Sequence, residues 1–163
     1  MLPDPPPKLL FGDLLALARE RWIRAMAERL EDLGFSDYRR SDALVMRVLR
    51  TGEVPLGGLS ATLGLTRQGA RKVVNGLVER DYARVISSTE DSRRRIVRLT
   101  PKGRAYGDAV VTTLRALHEE VVDHVDVGQL AGAYSALEFV KEGLAGSSTA
   151  RQFDVATSGE SRG

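Results

Sequence analysis

The stretch LSATLGLTRQGARKVVNGLVERD, residues 59–81, decides the fold. Leu59 and Leu63 lie four apart and share one face of a short helix. Gly64 follows, where a helix end favours a residue tolerant of positive φ. Thr66 then offers a side-chain oxygen to cap a second helix. In that second helix Ala70, Val73, Val74, Leu77 and Val78 recur at i, i+3, i+4, i+7 and i+8, a single apolar stripe. Arg67, Gln68, Arg71, Lys72 and Asn75 remain on the other face. A short helix, a turn with glycine and a helix with a basic, amide-bearing face make the pattern of a helix-turn-helix. Arg, Lys, Gln and Asn are the side chains that read base edges and hold phosphates. An ordinary surface helix with a solvated polar face fits the same segment, so the flanks must decide.

Behind this stretch come ARVISS (83–88), TEDSRRR and IVRLT (96–100). Val85 and Ser87, then Val97 and Leu99, alternate as in a half-buried hairpin. Its tip carries Arg93, Arg94 and Arg95 in succession, which are costly to bury and attract phosphate or the narrow minor groove. Directly after a helix-turn-helix, a DNA contact is the stronger reading of that tip, against a solvated loop. Asp91, two residues before Arg93, suggests an ion pair that shapes it.

The charge distribution points the same way. The formal net charge of +2 conceals a segment, 66–104, with eleven Lys or Arg against four Asp or Glu. Residues 105–145 reverse this, with two against seven. A basic block confined to one segment is the footprint of a nucleic-acid contact surface.

Outward from this centre the chain reads mainly as helix. Residues 1–7 form a Pro-rich, flexible lead-in. A long helix is expected from Lys8 to about Leu33, with Leu10, Leu14, Ala18, Trp22, Met26 and Leu30 in a row and Gly34 at its end. Ser41 is placed to cap the next helix, whose Leu44, Val45, Val48 and Leu49 turn inward. Glu53 to Leu56 is short and extended, suited to pairing with a later strand. Gly57 and Gly58 are poor helix material and blur the following boundary. Thr100-Pro101 starts a long helix with Val110, Leu114, Leu117, Val121 and Val125 in a row. A last helix spans about 127–145, with Leu130, Tyr134, Leu137, Val140 and Leu144. Residues 146–163 are small and polar and read as disordered.

The order helix, helix, short helix, reading helix, β-wing, long helix, helix resembles the MarR family of transcriptional regulators. The resemblance is carried by LSATLGLTRQGARKVVNGLVERDYA (59–83) and DSRRRIVRLTPKGR (91–104). The second matches the family's wing pattern: Asp-x-Arg, a basic residue, then a strand running into Leu-Thr-x-x-Gly. Helix order extends the match over about residues 8–145. The resemblance implies a mainly α fold with a small β-wing, its DNA-binding core about 41–100 between dimerisation helices about 8–33 and 101–145. It also implies a homodimer that binds pseudo-palindromic operator DNA, usually as a repressor, often released by a small aromatic or lipophilic ligand. On the motif positions Thr66, Arg67, Gln68, Arg71, Lys72 and Asn75 face DNA from the reading helix, and Arg93 and Arg95 from the wing; among these cations and amides Arg71 and Asn75 are expected to carry sequence preference, and Lys72 and the adjacent Arg94 to hold phosphate. Two departures stand out. Asp81 occupies the usual glycine position after the reading helix. Gly69 and Gly76 lie inside that helix, each costing it about 0.5–1 kcal/mol relative to Ala.

Other classes find little support. There is no phosphate-binding glycine loop, no Gly-x-Ser-x-Gly and no cysteine, hence no thiol nucleophile, disulfide or thiolate metal site. His118 and His124 lie six apart and face different sides of one helix. Glu120 and His124 have the i, i+4 spacing of a metal pair, which more commonly marks helix-surface pairing. No enzyme activity, cofactor or metal is therefore expected. No apolar run near 18 residues and no leader pattern is present, which favours the cytoplasm and no membrane partner. RNA binding lacks an aromatic stacking platform. The alternative kept open is a winged-helix protein-interaction module. Without a thiol to oxidise, any control signal should be a bound small molecule, seated where the first helix meets the second and the helix after Thr100. Trp22 and Met26 would wall that pocket, with Arg19 or Arg47 for an anionic group; the alternative makes Trp22 and Met26 plain core.

Overall fold

A computed structural model describes residues 9–89, 91 and 93–143; the lead-in and the tail expected to be flexible lie outside these. Its elements run α1 (Phe11–Asp32), α2 (Asp42–Leu49), β1 (Val54–Pro55), α3 (Leu56–Leu63), α4 (Arg67–Glu79), β2 (Ala83–Ser87), β3 (Arg95–Leu99), α5 (Pro101–His124) and α6 (Val127–Glu138). A π-helical turn, Phe139–Gly143, follows α6. The chain divides into two units, the break falling within α5 between Leu117 and His118.

The first unit is a winged helix. Strands order β1-β3-β2, all antiparallel, with Val85 opposite Val97 and Val54 opposite Val97 from the other side. The pairing expected of the segment around Val54 is thus met. Val97 and Leu99 are buried while Arg98 between them is exposed, the alternation of a sheet with one face on a core. That core gathers Met26 and Leu30 of α1, Val45, Met46 and Leu49 of α2, Leu59 and Leu63 of α3, Ala70, Val74 and Leu77 of α4, and Tyr106 and Val110 of α5. Truncating a fully buried leucine such as Leu77 to Ala would cost about 2–5 kcal/mol.

Several local expectations are corrected. Ser41 makes no side-chain cap; the neighbouring Asp42 carboxylate instead accepts the Arg39 N–H at 3.0 Å. Ser41 has φ −78° and ψ −17°, already helical and not the extended conformation from which an N-cap side chain reaches the first turn, and the Arg39 N–H lies before the helix. Only Met26 and Leu30 of the α1 row are buried, with Trp22 half-buried; Leu10, Leu14 and Leu17 lie exposed, because the first turns of α1 carry no core partner within this unit. Val78, counted in the α4 stripe, is exposed too. Gly57 and Gly58, by contrast, fall where they were expected, in the first turn of α3.

In the second unit Asp126 caps α6, accepting the Gln129 N–H while the Gln129 side chain accepts the Asp126 N–H. Tyr134, Leu137 and Phe139 are exposed. His124 Nδ1 lies 2.6 Å from the Glu120 carbonyl oxygen, one turn back on its own helix. Among the described residues no helix is long and apolar enough to cross a membrane.

Candidate nucleic-acid interface

The interface is assembled around α4, which is held at both ends. At its start Gly64 adopts φ 61° and ψ 30°, the left-handed conformation its lack of a Cβ permits. The chain then turns through Leu65 to Thr66, whose Oγ1 accepts the Gly69 N–H at 3.0 Å. With Ala70, Val74 and Leu77 buried, 3.6 residues per turn leave Arg67, Gln68, Arg71, Lys72 and Asn75 exposed, as the sequence indicated. Asp81 continues past the helix at φ 59°, taking the positive-φ role of the glycine it replaces.

At its end α4 is tied by a buried polar knot that sequence reasoning did not find. Arg80 donates from Nη1 and Nη2 to the two oxygens of Asp42, at 2.7 and 3.0 Å. Asp42 is fully buried and also accepts the Tyr106 hydroxyl at 2.8 Å. Arg80 further donates to the Gly76 and Asp37 carbonyls. Tyr82 donates to Asp37 at 2.6 Å and stacks on Tyr106 with centroids 4.2 Å apart. Burial disfavours the charge on Arg80, but the hydrogen bonds and charge of Asp42 outweigh it and hold the guanidinium above its usual range. Burial first, and then the Asp42 charge, push the Tyr106 phenol well above its ordinary value; burial and the hydrogen bond to Asp37 do the same for Tyr82. A lone aspartate opening the apolar run 43–49 was the one signal of this knot in the sequence.

The wing is fastened to the same turn. Thr100 Oγ1 donates to the Asp81 carbonyl at 2.6 Å and accepts the Gly103 N–H at 2.9 Å, capping α5 as expected. A Cβ at Gly103 would stand 1.7 Å from the Tyr82 carbonyl oxygen, so only glycine fits where α5 crosses the end of the reading helix. The Leu-Thr-x-x-Gly pattern is therefore a packing requirement. At the tip Asp91 does not form the expected pair with a guanidinium; its Oδ1 accepts the Arg93 backbone N–H at 2.9 Å and its carbonyl the Arg94 N–H. A two-residue spacing suits that backbone turn.

These fastenings bring the wing and α4 together. Arg67 and Arg71 of α4 and Arg93, Arg94 and Arg95 of the wing line one cleft of about 420 Å³, with Pro55, Leu56, Gly57 and Gly58 at its other side. Among the described residues no carboxylate lines it. Five guanidinium groups around one opening repel one another and are relieved by a polyanion. Gln68 and Asn75 stand on the exposed ridge of α4, offering paired donors and acceptors. Lys72 lies on the opposite flank, in a second cleft. The residues expected to wall a ligand pocket differ in burial: Met26 is fully buried, Trp22 half-buried, and Arg19 and Arg47 exposed. The two clefts beside α4, and a third around Arg50 and Arg98, are lined by other residues.

A three-helix core with a helix-turn-helix and a β-wing defines the class as winged helix. Known proteins agree. No family model matches the chain. It is 31% identical over 71 residues, 44% of its length, to an uncharacterized HTH-type transcriptional regulator of Staphylococcus aureus. The chain spans about half the length, 49%, of that relative. Its fold is similar to that of S. aureus MepR in a DNA complex, with TM-score 0.72 and 12% identity, covering 83% of this chain and 99% of MepR. It is also similar to a cysteine-to-serine mutant of Escherichia coli MarR complexed with operator DNA, with TM-score 0.65 and 20% identity, covering 79% and 91%. The resemblance to MarR-type regulators read from two motifs therefore extends to the fold.

Proposed function

We propose that the chain is a DNA-binding transcriptional regulator of the MarR type, acting in the cytoplasm. The observation that carries this reading is the five-arginine cleft formed jointly by the reading helix and the wing, beside an exposed ridge of Gln68 and Asn75. A major groove admits a helix, and phosphates on its border meet guanidinium groups. Thr66, Arg67, Gln68, Arg71 and Asn75 contact the groove, Lys72 holds a phosphate on its border, and Arg93, Arg94 and Arg95 meet the backbone or the adjoining minor groove. The solved DNA complexes of MepR and MarR support this use of the fold.

The working form is a homodimer that binds a pseudo-palindromic operator and represses. Exposed Leu10, Leu14 and Leu17 on α1, and Tyr134, Leu137 and Phe139 in the second unit, are apolar surface suited to a second copy. Two reading helices then enter major grooves about 10 base pairs apart. A small aromatic or lipophilic effector at Trp22 and Met26, with Arg19 or Arg47 for an anionic group, releases DNA if it binds the released spacing better.

Selection of bound duplexes from a random library, with light scattering on the purified protein, tests the reading. Expected are a dimer and two related half-sites, with binding that falls steeply with salt. A monomer at micromolar concentration refutes the dimer. Binding that shows no duplex preference and no salt dependence leaves the winged helix as a protein-interaction module.

A further inference from the structure

Two features of α4 are left over by that reading: the glycines at 69 and 76, and the flank of the helix away from the wing. Both belong to one place. A cleft of about 490 Å³ opens between α4 and the residues leading into α2. Arg39, Arg40 and Ser41 border it on one side; Gly69, Lys72 and Gly76 border it on the other. Arg39, Arg40 and Lys72 are exposed, and no ion pair joins their side chains to a carboxylate among the described residues. Arg80, at the back, is already committed to Asp42. A Cβ on Gly76 would stand 2.7 Å from Arg39 Nη1, so the guanidinium lies against the bare backbone of the helix. The two glycines, unfavourable for α4 by itself, make the floor of this cleft.

Helical geometry relates the cleft to the wing. At about 100° per residue, Gln68 and Asn75 top the outer ridge. Arg67 and Arg71 fall on the wing flank, and Gly69, Lys72 and Gly76 on the other. A ridge inserted in a major groove about 12 Å wide has one phosphate strand along each flank. We propose that Arg39, Arg40 and Lys72 seat a phosphodiester of the strand opposite the one gripped by the wing cleft. The seat rests on the reading of α4 as a groove-entering helix and adds the α1–α2 connection to its footprint. It is a positioning contact: gripping both strands fixes how deeply and at what angle Gln68 and Asn75 enter.

The test uses the full chain and an operator duplex obtained by selection. Arg39→Gln with Arg40→Gln keeps most of each stem and removes both charges; both positions are exposed, and circular dichroism checks that the variant folds. Expected is a loss on random duplexes and a larger one on the operator, where the ridge also loses its placement, with the slope of log K against log salt reduced by about 0.9 for each phosphate released. Neutral methylphosphonate linkages are then placed on one strand at a time. Next to the half-site they should weaken the unaltered protein on either strand, and the double variant on the wing-side strand alone. An unchanged slope, or equal sensitivity of the double variant on both strands, overturns the seat while leaving DNA binding intact. Duplex binding unchanged, but binding of inorganic phosphate lost, makes the cleft a small-anion site and also overturns it. If the unaltered chain binds no duplex at all, the regulator reading falls and the seat with it.

Discussion

Substituting Asp42 isolates what the buried knot contributes. Asp42 is fully buried, accepts both Arg80 nitrogens and the Tyr106 hydroxyl, and takes the Arg39 N–H. In Asp42→Ala the Arg80 guanidinium, its side chain only 9% exposed, loses its counter-charge. Removing one partner of a buried pair costs about 3–5 kcal/mol. Arg80 keeps the Gly76 and Asp37 carbonyls at 2.7 and 2.8 Å, which favours the lower end. The stranded Tyr106 hydroxyl adds about 1–3 kcal/mol. A total near 4 kcal/mol is a large part of the about 5–15 kcal/mol of a typical domain. In urea, with a slope of about 2 kcal/mol/M, the midpoint should fall by about 2 M with the slope unchanged. Asp42→Asn, which retains an acceptor, should lose about half as much. The decisive comparison is Asp42→Leu with Arg80→Met. If the penalty is the unpaired charge, removing both charges should restore most of the stability. A loss under about 1 kcal/mol in Asp42→Ala would refute the reasoning. So would a double variant as unstable as the single.

The tyrosines give the knot a pH signature. The unfolded chain releases phenolic protons near pH 10, whereas Tyr82 and Tyr106 hold theirs well above that when folded, so the native state binds more protons. Stability should be level below pH 10 and fall above it by about 1.4 kcal/mol per pH unit for each tyrosine, measured by urea titration between pH 8 and 11; a flat profile contradicts the assignment. Gly103→Ala should unfold the wing junction, because backbone faces the new Cβ; loss of the cooperative thermal transition, or a fall above about 3 kcal/mol, is expected, and a native melting curve would contradict it. Asp81→Gly should raise stability by up to about 1 kcal/mol by relieving a positive φ, while duplex affinity stays unchanged. A lower melting temperature would mean that the aspartate side chain matters more than its backbone.

What was legible in the sequence is what short spacing determines. Gly64, Thr66 and the apolar stripe of α4 are settled within a few residues, as is the Thr100 cap. The same signals placed the cations of α4 and the wing on exposed positions. The knot escaped because its members are 38 and 64 residues apart, and an arginine, an aspartate and a tyrosine carry no periodic signal. Arg39 and Arg40 escaped because a connection between two helices has no pattern to read. The α1 row illustrates a different limit: spacing by four identifies an apolar face but not what covers it, and only Met26 and Leu30 meet the core. Ser41 fails as a cap because its own backbone is already helical, which residue type alone does not reveal.

The knot and the two clefts bear on one another. Arg80 closes α4 and is held by Asp42, the first residue of α2; Arg39 and Arg40 lie just before that residue and face the helix across the second cleft. Tyr106 binds the same carboxylate from α5, while Gly103 and Thr100, one turn earlier, clamp the turn that Asp81 begins. The reading helix, the α2 entry and the start of α5 are therefore tied through one buried charge pair. A displacement of α5 at Tyr106 must either carry Asp42 with it or break a buried hydrogen bond. If it carries Asp42, Arg39 and Arg40 shift against Lys72, and the spacing of the second cleft changes with the tilt of the ridge. A signal that moved α5 at Tyr106 would by these bonds reach both flanks of α4 together.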